Sequence, residues 1–310
     1  MLSITGLSHS YDSHTRALDD VTLDIPRGMF GLLGPNGAGK STLMRCIATL
    51  QVPTAGTILF DGIDVLEEPQ RLRAVLGYLP QDFGVYPRVS AYEMLDHLAV
   101  LKGVAGRGER RETVEALLHQ VNLWEVRKKA LAGFSGGMRQ RFGIAQALIG
   151  RPKLVIVDEP TAGLDPEERN RFNNLLAEVG EHMVVILSTH IVDDVTDLCS
   201  RVGLMVDGRI VADDTPAALI DSLAGRVWAR TIDKAELPLY RTQFELIATR
   251  LCSGRTQIHV LADRSPDPAF TPVTSNLEDV YFATLHHQRQ AAQVARMTKV
   301  ASVAKVAKVA

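Results

Sequence analysis

The sequence predicts an α/β protein whose mostly parallel sheet is covered by helices and interrupted by an inserted helical segment. Three observations predict this class. Short apolar runs such as LVIV before Asp158 alternate with amphipathic helical patterns, as in βα units. The apolar run MFGLL stops at Gly34, where a glycine-rich loop opens a helix, as expected at the end of a buried strand. Between about residues 81 and 150 the alternation gives way to helices joined by short loops.

The composition excludes several classes of protein. The 310 residues are 46% hydrophobic and 23% charged, as in an ordinary globular chain. The net charge of −2, without a dense basic block, disfavours nucleic acid as a partner. Cys46, Cys199 and Cys252 lie far apart in apolar contexts without metal-ligand spacing, so we expect three buried thiols. The N-terminus lacks a signal-peptide pattern, and no apolar run approaches the ~20 residues of a membrane span.

The first third of the chain predicts strands on either side of a glycine loop. Alternation in LSITGLS and VTLDI predicts antiparallel strands near the start. A helix is predicted from Lys40 to about Leu50. The pair Asp61-Gly62 predicts a hairpin, and VLGYLP predicts another buried strand.

Sequence patterns also predict the helices of the insertion and the strands and helices that follow it. Ser90 and Glu93 form a capping box for a helix to about Lys102, a second helix is predicted over 109–121, and a third begins at Gly136-Gly137. Strands are then predicted at LVIVD and MVVILS. They are followed by helices over 166–179 and 191–199 and by a hairpin at Asp207-Gly208.

The pattern weakens after about Pro216. A short helix, a strand at VWARTI, a helix near 244–251, a strand at QIHVLA and a closing helix at SNLEDVYFATLHH predict a small α+β extension. We therefore divide the chain into a main domain over 1–216, an extension over 217–290 and a low-complexity tail over 291–310, which we expect to be disordered.

A phosphate-binding loop is the first motif that carries chemistry. GPNGAGKST satisfies G-x-x-x-x-G-K-[ST] between a predicted strand and a predicted helix. Its glycines let backbone N–H groups face phosphates, Lys40 reaches the terminal phosphates, and the Ser41 hydroxyl is placed to ligate Mg²⁺. The predicted nucleotide-binding residues of the loop are Gly34, Pro35, Asn36, Gly37, Ala38, Gly39, Lys40, Ser41 and Thr42.

Two adjacent carboxylates supply the other half of a hydrolytic site. Asp158 ends the strand LVIVD, where it is placed to hold Mg²⁺. Glu159 follows it and is free to polarise an attacking water. Together with the glycine loop, this pair predicts a nucleotide hydrolase without saying which one.

The stretch FSGGMRQR from Phe134, followed by LVIVDEPTAGLD and ILSTH, resembles the ATP-binding cassette (ABC) ATPases. Their signature motif is LSGGQ-like; here Phe134 replaces the usual Leu and Met138 the usual Gln. The resemblance covers about residues 2–216, with the motifs in the family's order. It implies a P-loop NTPase (RecA-like) core with an antiparallel β subdomain and an inserted α-helical subdomain at about 81–150.

The resemblance also implies a role for each matching residue. Tyr11 matches the aromatic that stacks on adenine, Gln81 the glutamine that reaches Mg²⁺, and His190 the switch histidine that contacts the γ-phosphate beside the catalytic Glu159. In the family two cassettes dimerise head to tail, and the signature loop of one covers ATP held by the other. The residues implied to act across that dimer are Ser135, Gly136, Gly137, Met138 and Asp165. Asp165 serves equally well as the N-cap before Pro166.

A transporter ATPase is the implied function. In this family the helical insertion docks a coupling helix of an integral membrane permease, so we expect this chain, as a homodimer, on the cytoplasmic face of a membrane. QDFGVYPRVSAYEML is similar to cassettes paired with ABC-2-type exporters, and LEDVYFATLHH is similar to their LEDVF-like ending. The alternatives are an importer ATPase or a soluble ABC protein that acts on ribosomes or DNA.

Overall fold

A computed structural model describes residues 1–12, 15–84 and 86–306. The chain forms two compact units, Met1–Asp213 and Asp214–Ala310. The strands of the first unit are β1 (Leu2–Ser10), β2 (Arg16–Ile25), β3 (Gly28–Leu33), β4 (Ala55–Phe60), β5 (Ile63–Asp64), β6 (Leu76–Leu79), β7 (Leu154–Asp158), β8 (Val184–Thr189), β9 (Arg201–Val206) and β10 (Arg209–Asp214). Its helices are α1 (Lys40–Ile47), α2 (Pro69–Val75), α3 (Ala91–Leu101), α4 (Arg107–Gln120), α5 (Gly136–Leu148), α6 (Pro166–Gly180) and α7 (Val192–Leu198).

The predicted parallel sheet is confirmed. Six strands lie in the order β10-β9-β3-β8-β7-β6, and β3 pairs in parallel with both β8 and β9. The register places Asp158 of β7 opposite Ser188 of β8, and Leu33 of β3 opposite Thr189. The carboxyl ends of β3, β7 and β8 therefore meet at one edge of the sheet, which is where ligands bind in open α/β sheets.

A second sheet, in the order β2-β1-β4-β5, is antiparallel, as the alternating patterns predicted. Helix α1 shares one core with both sheets. Leu43 and Met44 of α1 are buried in the same cluster as Ile4 of β1 and Ile156 of β7. Burial of each such side chain stabilises the fold by roughly 1.5–3 kcal/mol. This core fixes the helix that begins at Lys40.

The predicted helical insertion is present as α3, α4 and α5. Its first helix begins with the predicted capping box: Glu93 N donates to Ser90 Oγ at 3.3 Å, and Ser90 N donates to Glu93 Oε2 at 2.9 Å. Ser135 caps α5 by accepting a hydrogen bond from Met138 N at 3.2 Å. Helix α5 therefore begins at the glycine pair, as predicted.

The second unit contains α8 (Pro216–Asp221), β11 (Val227–Ile232), α9 (Leu237–Gln243), β12 (Leu246–Cys252), β13 (Arg255–Leu261), β14 (Thr271–Pro272) and α10 (Leu277–Val306). Its strands form an antiparallel sheet in the order β12-β13-β11-β14. Tyr240, Phe244 and Phe270 pack together beside this sheet, with ring centroids 5.3–6.3 Å apart.

The predictions for residues 246–252 and for Cys252 are wrong. Residues 246–252 form strand β12, not a helix, because the turn at Ser253-Gly254, both with positive φ, folds LIATRLC back on β13. The spacing of the apolar residues in this segment fits the period of a helix as well as that of a strand, so the turn determines which of the two forms. Cys252 is exposed because it ends β12 beside that turn, whereas Cys46 and Cys199 are buried as predicted.

The C-terminal helix is longer than the pattern indicated. We predicted a disordered tail over 291–310, whereas the backbone of α10 is helical to Val306, and residues 307–310 lie outside the described residues. The run contains neither Gly nor Pro, and its alanines favour a helix. Among the described residues no helix is long and apolar enough to cross a membrane.

Candidate nucleotide site

An open cleft of about 400 Å³ lies at the edge of the parallel sheet. It brings together residues that are far apart in the sequence. The cleft is lined by Tyr11, Thr15, Arg16, Ala17, residues 35–42, Gln81, Glu159, Ala162 and His190. The glycine loop and four of the separately predicted site residues therefore face one space.

The glycine loop joins β3 to α1 in a conformation that requires glycine at Gly39. Its φ is +105°, and a Cβ there would lie 2.4 Å from the carbonyl oxygen of Ala17. The Lys40 ammonium is buried and donates hydrogen bonds to the carbonyl oxygens of Gly34 at 2.7 Å and Pro35 at 3.3 Å. The loop therefore places the positive charge of Lys40 at the N-terminus of α1, where the helix dipole also favours an anion.

Lys40 is also electrostatically linked to the two carboxylates. Burial lowers the pKa of Lys40, and the negative charges of Glu159 and Asp158 oppose that effect. Lys40 Nζ lies 4.0 Å from Glu159 Oε1. A bound phosphate would add negative charge at this ammonium and favour its charged form.

Asp158 has the environment of a cation ligand. The residue is only 4% exposed, and its Oδ1 has no hydrogen-bond partner among the described residues. Burial raises the pKa of Asp158, and the hydroxyls of Ser188 and Ser41 partly oppose that effect. A buried oxygen without a partner, next to the predicted Ser41 ligand, fits a hard divalent cation that prefers oxygen ligands.

Glu159 is held in an unusual backbone conformation beside His190. Its φ is +50°, in a region that costs a non-glycine residue of order 1–3 kcal/mol. Glu159 N donates to the carbonyl oxygen of Ser188 at 2.8 Å, which ties this conformation to β8. The buried carboxylate accepts a hydrogen bond from His190 Nδ1 at 2.5 Å, while the imidazole is half exposed. The predicted base and switch histidine are therefore in direct contact.

Tyr11 lies at the other end of the glycine loop. Its hydroxyl shares a hydrogen bond with Thr42 Oγ1 at 3.1 Å and donates to Gln51 Oε1 at 3.3 Å. The bond to Thr42 lowers the pKa of Tyr11. The ring is half exposed and faces the cleft, so a flat base can contact it.

The glycine-rich signature lies apart from this cleft. Ser135 and Gly136 are exposed, and the N-terminus of α5 does not contribute to the cleft lining. Asp165 is also exposed and caps α6 by accepting a hydrogen bond from Glu168 N at 2.9 Å. The capping interpretation of Asp165 is therefore confirmed, and none of the five predicted trans residues is among those lining the cleft.

Several residues of the site, Ser188, Arg16 and Ala17 among them, could not be predicted from motifs. Ser188 lies opposite Asp158 because β7 and β8 are neighbours, and Arg16 and Ala17 line the cleft because β2 begins beside the glycine loop. Only their position beside other predicted elements marks these residues as part of the site. That position can be known only from the order of the strands in the sheet. Arg16 adds a positive charge to a cleft already suited to phosphates.

The parallel sheet, its phosphate loop and the adjacent carboxylates define a P-loop nucleotide hydrolase. The sequence profile of the ABC transporter family matches residues 18–162. An ABC transporter ATP-binding protein of Bacillus subtilis, YxlF, is 39% identical over 68% of this chain and 69% of its own length. The daunorubicin/doxorubicin resistance ATP-binding protein DrrA of Streptomyces peucetius is 34% identical over 90% of this chain and 81% of its own.

Solved structures agree with these relatives. The dimeric post-hydrolysis structure of the ATP-binding cassette MJ0796, bound to ADP and Pi, matches with a TM-score of 0.63 and 26% identity over 69% of this chain and 98% of that one. This chain belongs to the ATP-binding proteins of ABC transporters. It binds and hydrolyses ATP, and as a transporter subunit it works with a membrane permease.

Proposed function

We propose that this chain powers an exporter of the ABC-2 type that removes drug-like or antibiotic molecules from the cell. The carrying observation is the match to DrrA, which spans 90% of the chain and therefore includes much of the second unit. Relatives named for linearmycin resistance and lantibiotic transport support the same proposal. The importer alternative and the ribosome- or DNA-directed alternative gain no support from these relatives.

The chemistry follows from the contacts in the cleft. Glu159 accepts a proton from the water that attacks the γ-phosphate, and His190 holds that carboxylate in place through their 2.5 Å contact. Lys40 and the backbone N–H groups of the glycine loop bind the phosphate oxygens. Ser41, Asp158 and Gln81 would hold Mg²⁺, which when bound neutralises developing charge on the phosphates.

The exposed signature supports a dimeric mechanism. The N-terminus of α5 offers backbone N–H groups and a positive dipole end to an anion, yet it does not line the cleft of its own chain. In a head-to-tail dimer of two copies, Ser135, Gly136, Gly137 and Met138 bind the γ-phosphate held by the partner, with Asp165 at the interface. ATP then joins the two copies, and hydrolysis releases them.

An apolar groove of about 380 Å³ fits the coupling helix of the permease at the inner face of the membrane. Its walls come from the end of α1, from β6 and from α3 and α5, with Leu50 63% and Leu101 70% exposed. Lys102 Nζ donates to the carbonyl oxygens of Arg73 and Leu76 and so holds α3 beside β6. Two elements connect the groove with the nucleotide cleft, since α1 begins at Lys40 in the cleft and ends beside the groove, and β6 in the groove leads to Gln81.

The catalytic assignment is tested with Glu159→Gln. This variant keeps the size of the side chain but cannot act as a base, so we expect ATP binding to persist and turnover to fall by about a hundredfold or more. Exposed Glu181, changed to Gln, is the matched control and should hydrolyse ATP normally. Steady-state hydrolysis by Glu159→Gln at the control rate would contradict the assignment.

Direction of transport is tested in inverted membrane vesicles that contain this chain and its permease. ATP should drive daunorubicin, followed by its fluorescence, into the vesicle lumen, and the Glu159→Gln complex should not. The exporter proposal would be wrong if daunorubicin accumulated in the lumen without ATP hydrolysis, or if ATP depleted daunorubicin from the lumen.

A further inference from the structure

A buried carboxylate outside the cleft joins two loops of the site. Asp194 on α7 is 1% exposed, and three side chains donate hydrogen bonds to it. Thr161 Oγ1 binds Oδ2 at 2.7 Å, while Arg169 Nε at 2.7 Å and Asn173 Nδ2 at 2.8 Å share Oδ1. Both oxygens are therefore held by residues from outside α7.

The positions of these residues in the chain connect them to the reaction. Thr161 is two residues after Glu159, and Asp194 is four residues after His190. The other two donors lie on α6, the helix that follows the loop containing Thr161. The carboxylate thus links the segment that leaves the predicted base to the segment that leaves the switch histidine.

This link is suited to hold the two segments rigidly. A buried carboxylate is costly unless it is charge-paired and fully hydrogen-bonded. Loss of the Thr161 hydroxyl leaves Oδ2 without its donor, whereas Oδ1 is held by two donors. Arg169 supplies the positive charge. Helix α7 is itself seated on β3, because a Cβ at Gly31 would lie 2.4 Å from Val195 Cγ1. Movement of the Thr161 loop relative to α7 would therefore break strong, buried hydrogen bonds.

His190 needs such support because its imidazole is half exposed and its ring contacts the carboxylate of Glu159. We propose that Asp194 is a positioning residue for ATP hydrolysis: through Thr161 it keeps the backbones that carry Glu159 and His190 in fixed relation. This inference rests on the proposed roles of Glu159 and His190. Asp194 does not line the cleft and acts only through these residues.

The first test uses two substitutions of the buried Thr161. Thr161→Val removes the hydroxyl at almost constant volume, and Thr161→Ser keeps it. We expect kcat for ATP hydrolysis to fall about tenfold or more in Thr161→Val, since small misplacements of catalytic groups have effects of this size. The KM for ATP should stay within about twofold, and Thr161→Ser should retain most of the wild-type kcat.

The second test addresses the carboxylate itself. Asp194→Asn should lower kcat like Thr161→Val, and the double variant should lose little more than the worse single variant, because both break one contact. Asp193→Asn is the matched control: it lies in the same helical turn, is exposed, and should keep the wild-type kcat. Rates are expressed per folded molecule, with the folded fraction taken from thermal unfolding.

Several results would overturn the inference. They are an unchanged kcat per folded molecule in Thr161→Val, equal damage in Thr161→Ser, or a rise in KM with kcat unchanged. If Asp194→Asn does not fold, the Thr161 pair decides alone. Glu159→Gln in the same assay distinguishes the catalytic role of Glu159 from the positioning role of Asp194. Its continued turnover overturns the catalytic assignment, whereas its loss of turnover beside a fully active Thr161→Val overturns only the role of Asp194.

Discussion

Burial makes the Asp158 carboxylate unfavourable for the fold as well as suitable for a cation. Because its pKa is raised in the folded protein, the folded state binds the proton more tightly than the unfolded state. Stability from this group is therefore present at acid pH and is lost as pH rises from the unfolded pKa through the folded one. At neutral pH, without nucleotide or metal, the ionised carboxylate destabilises the fold.

Asp158→Asn should therefore raise the Tm of the ligand-free protein at pH 7. We expect a gain of a few degrees, since roughly 1 kcal/mol moves the Tm of a domain of this size by about 2–4 °C. The same variant should lose most of the Tm increase that ATP with Mg²⁺ gives the wild type, because a neutral amide is a poorer metal ligand. Thermal unfolding by differential scanning calorimetry, with and without Mg²⁺ and ATP, measures both effects.

The control for this prediction is the exposed Asp193, where Asn should leave both quantities unchanged. A repeat at pH 4 adds a second check. Because the pKa is raised in the folded protein, the wild-type carboxyl carries less negative charge at pH 4 than at pH 7, so the Tm advantage of Asp158→Asn should shrink. A lower Tm for the variant at pH 7 would show that the ionised carboxylate stabilises the fold, against the argument from its pKa.

At the scale of elements, local patterns predicted the segments that carry the site. The glycine loop and LVIVDEP each place their chemistry where a buried strand ends, and that context is readable from neighbouring residues. The residues that lie next to them in space could not be predicted from the sequence. Ser188 lies beside Asp158 only because β8 separates β7 from β3, and strand order depends on long-range pairing. Strand β12 was missed for a related reason, since its pairing with β13 overrides an ambiguous local period.

The groove between α1, β6, α3 and α5 carries a prediction of its own. Leu101→Asp places a charge on an exposed apolar wall, where the coupling helix would have to desolvate it. We expect ATP binding by the isolated subunit to persist and the complex with its co-expressed permease to be lost. Affinity purification through a tag on the permease, followed by quantification of this chain, measures the effect.

Leu239→Asp is the matched control, because Leu239 is likewise an exposed leucine on a helix but lies on α9 in the second unit. The control variant should co-purify with the permease as the wild type does. Normal recovery of Leu101→Asp would remove the groove as the docking surface, and equal loss of both variants would show a general effect of the added charge.

At the scale of the whole molecule, the separation of the signature from the cleft is what the proposed head-to-tail dimer would explain. The described residues around the cleft supply a base, a lysine and the loop N–H groups, while the exposed N-terminus of α5, whose dipole favours an anion, lies outside that lining. Two copies related by a two-fold axis would complete two sites at once, as an isologous arrangement requires. ATP should then stabilise the dimer in proportion to its concentration.

We therefore expect Glu159→Gln, which binds ATP without consuming it, to shift from 33.9 kDa to about twice that mass when ATP and Mg²⁺ are added. Adding Ser135→Asp should abolish the shift. Aspartate still caps α5, so the helix keeps its start, but its charge repels the partner's γ-phosphate. Multi-angle light scattering of the eluting protein gives the mass directly.

Thr215→Asp provides the matched control, since Thr215 is likewise an N-cap, of α8, and accepts a hydrogen bond from Ala218 N at 3.1 Å. In the Glu159→Gln background it should leave the ATP-dependent dimer intact. Dimerisation that survives Ser135→Asp would mean that the signature does not meet the partner's nucleotide. An absent shift even in Glu159→Gln alone calls for the same measurement on the complex with the permease. A cross-link between Ser135→Cys and Asn36→Cys of two copies should form there, only with ATP, if the head-to-tail arrangement is right.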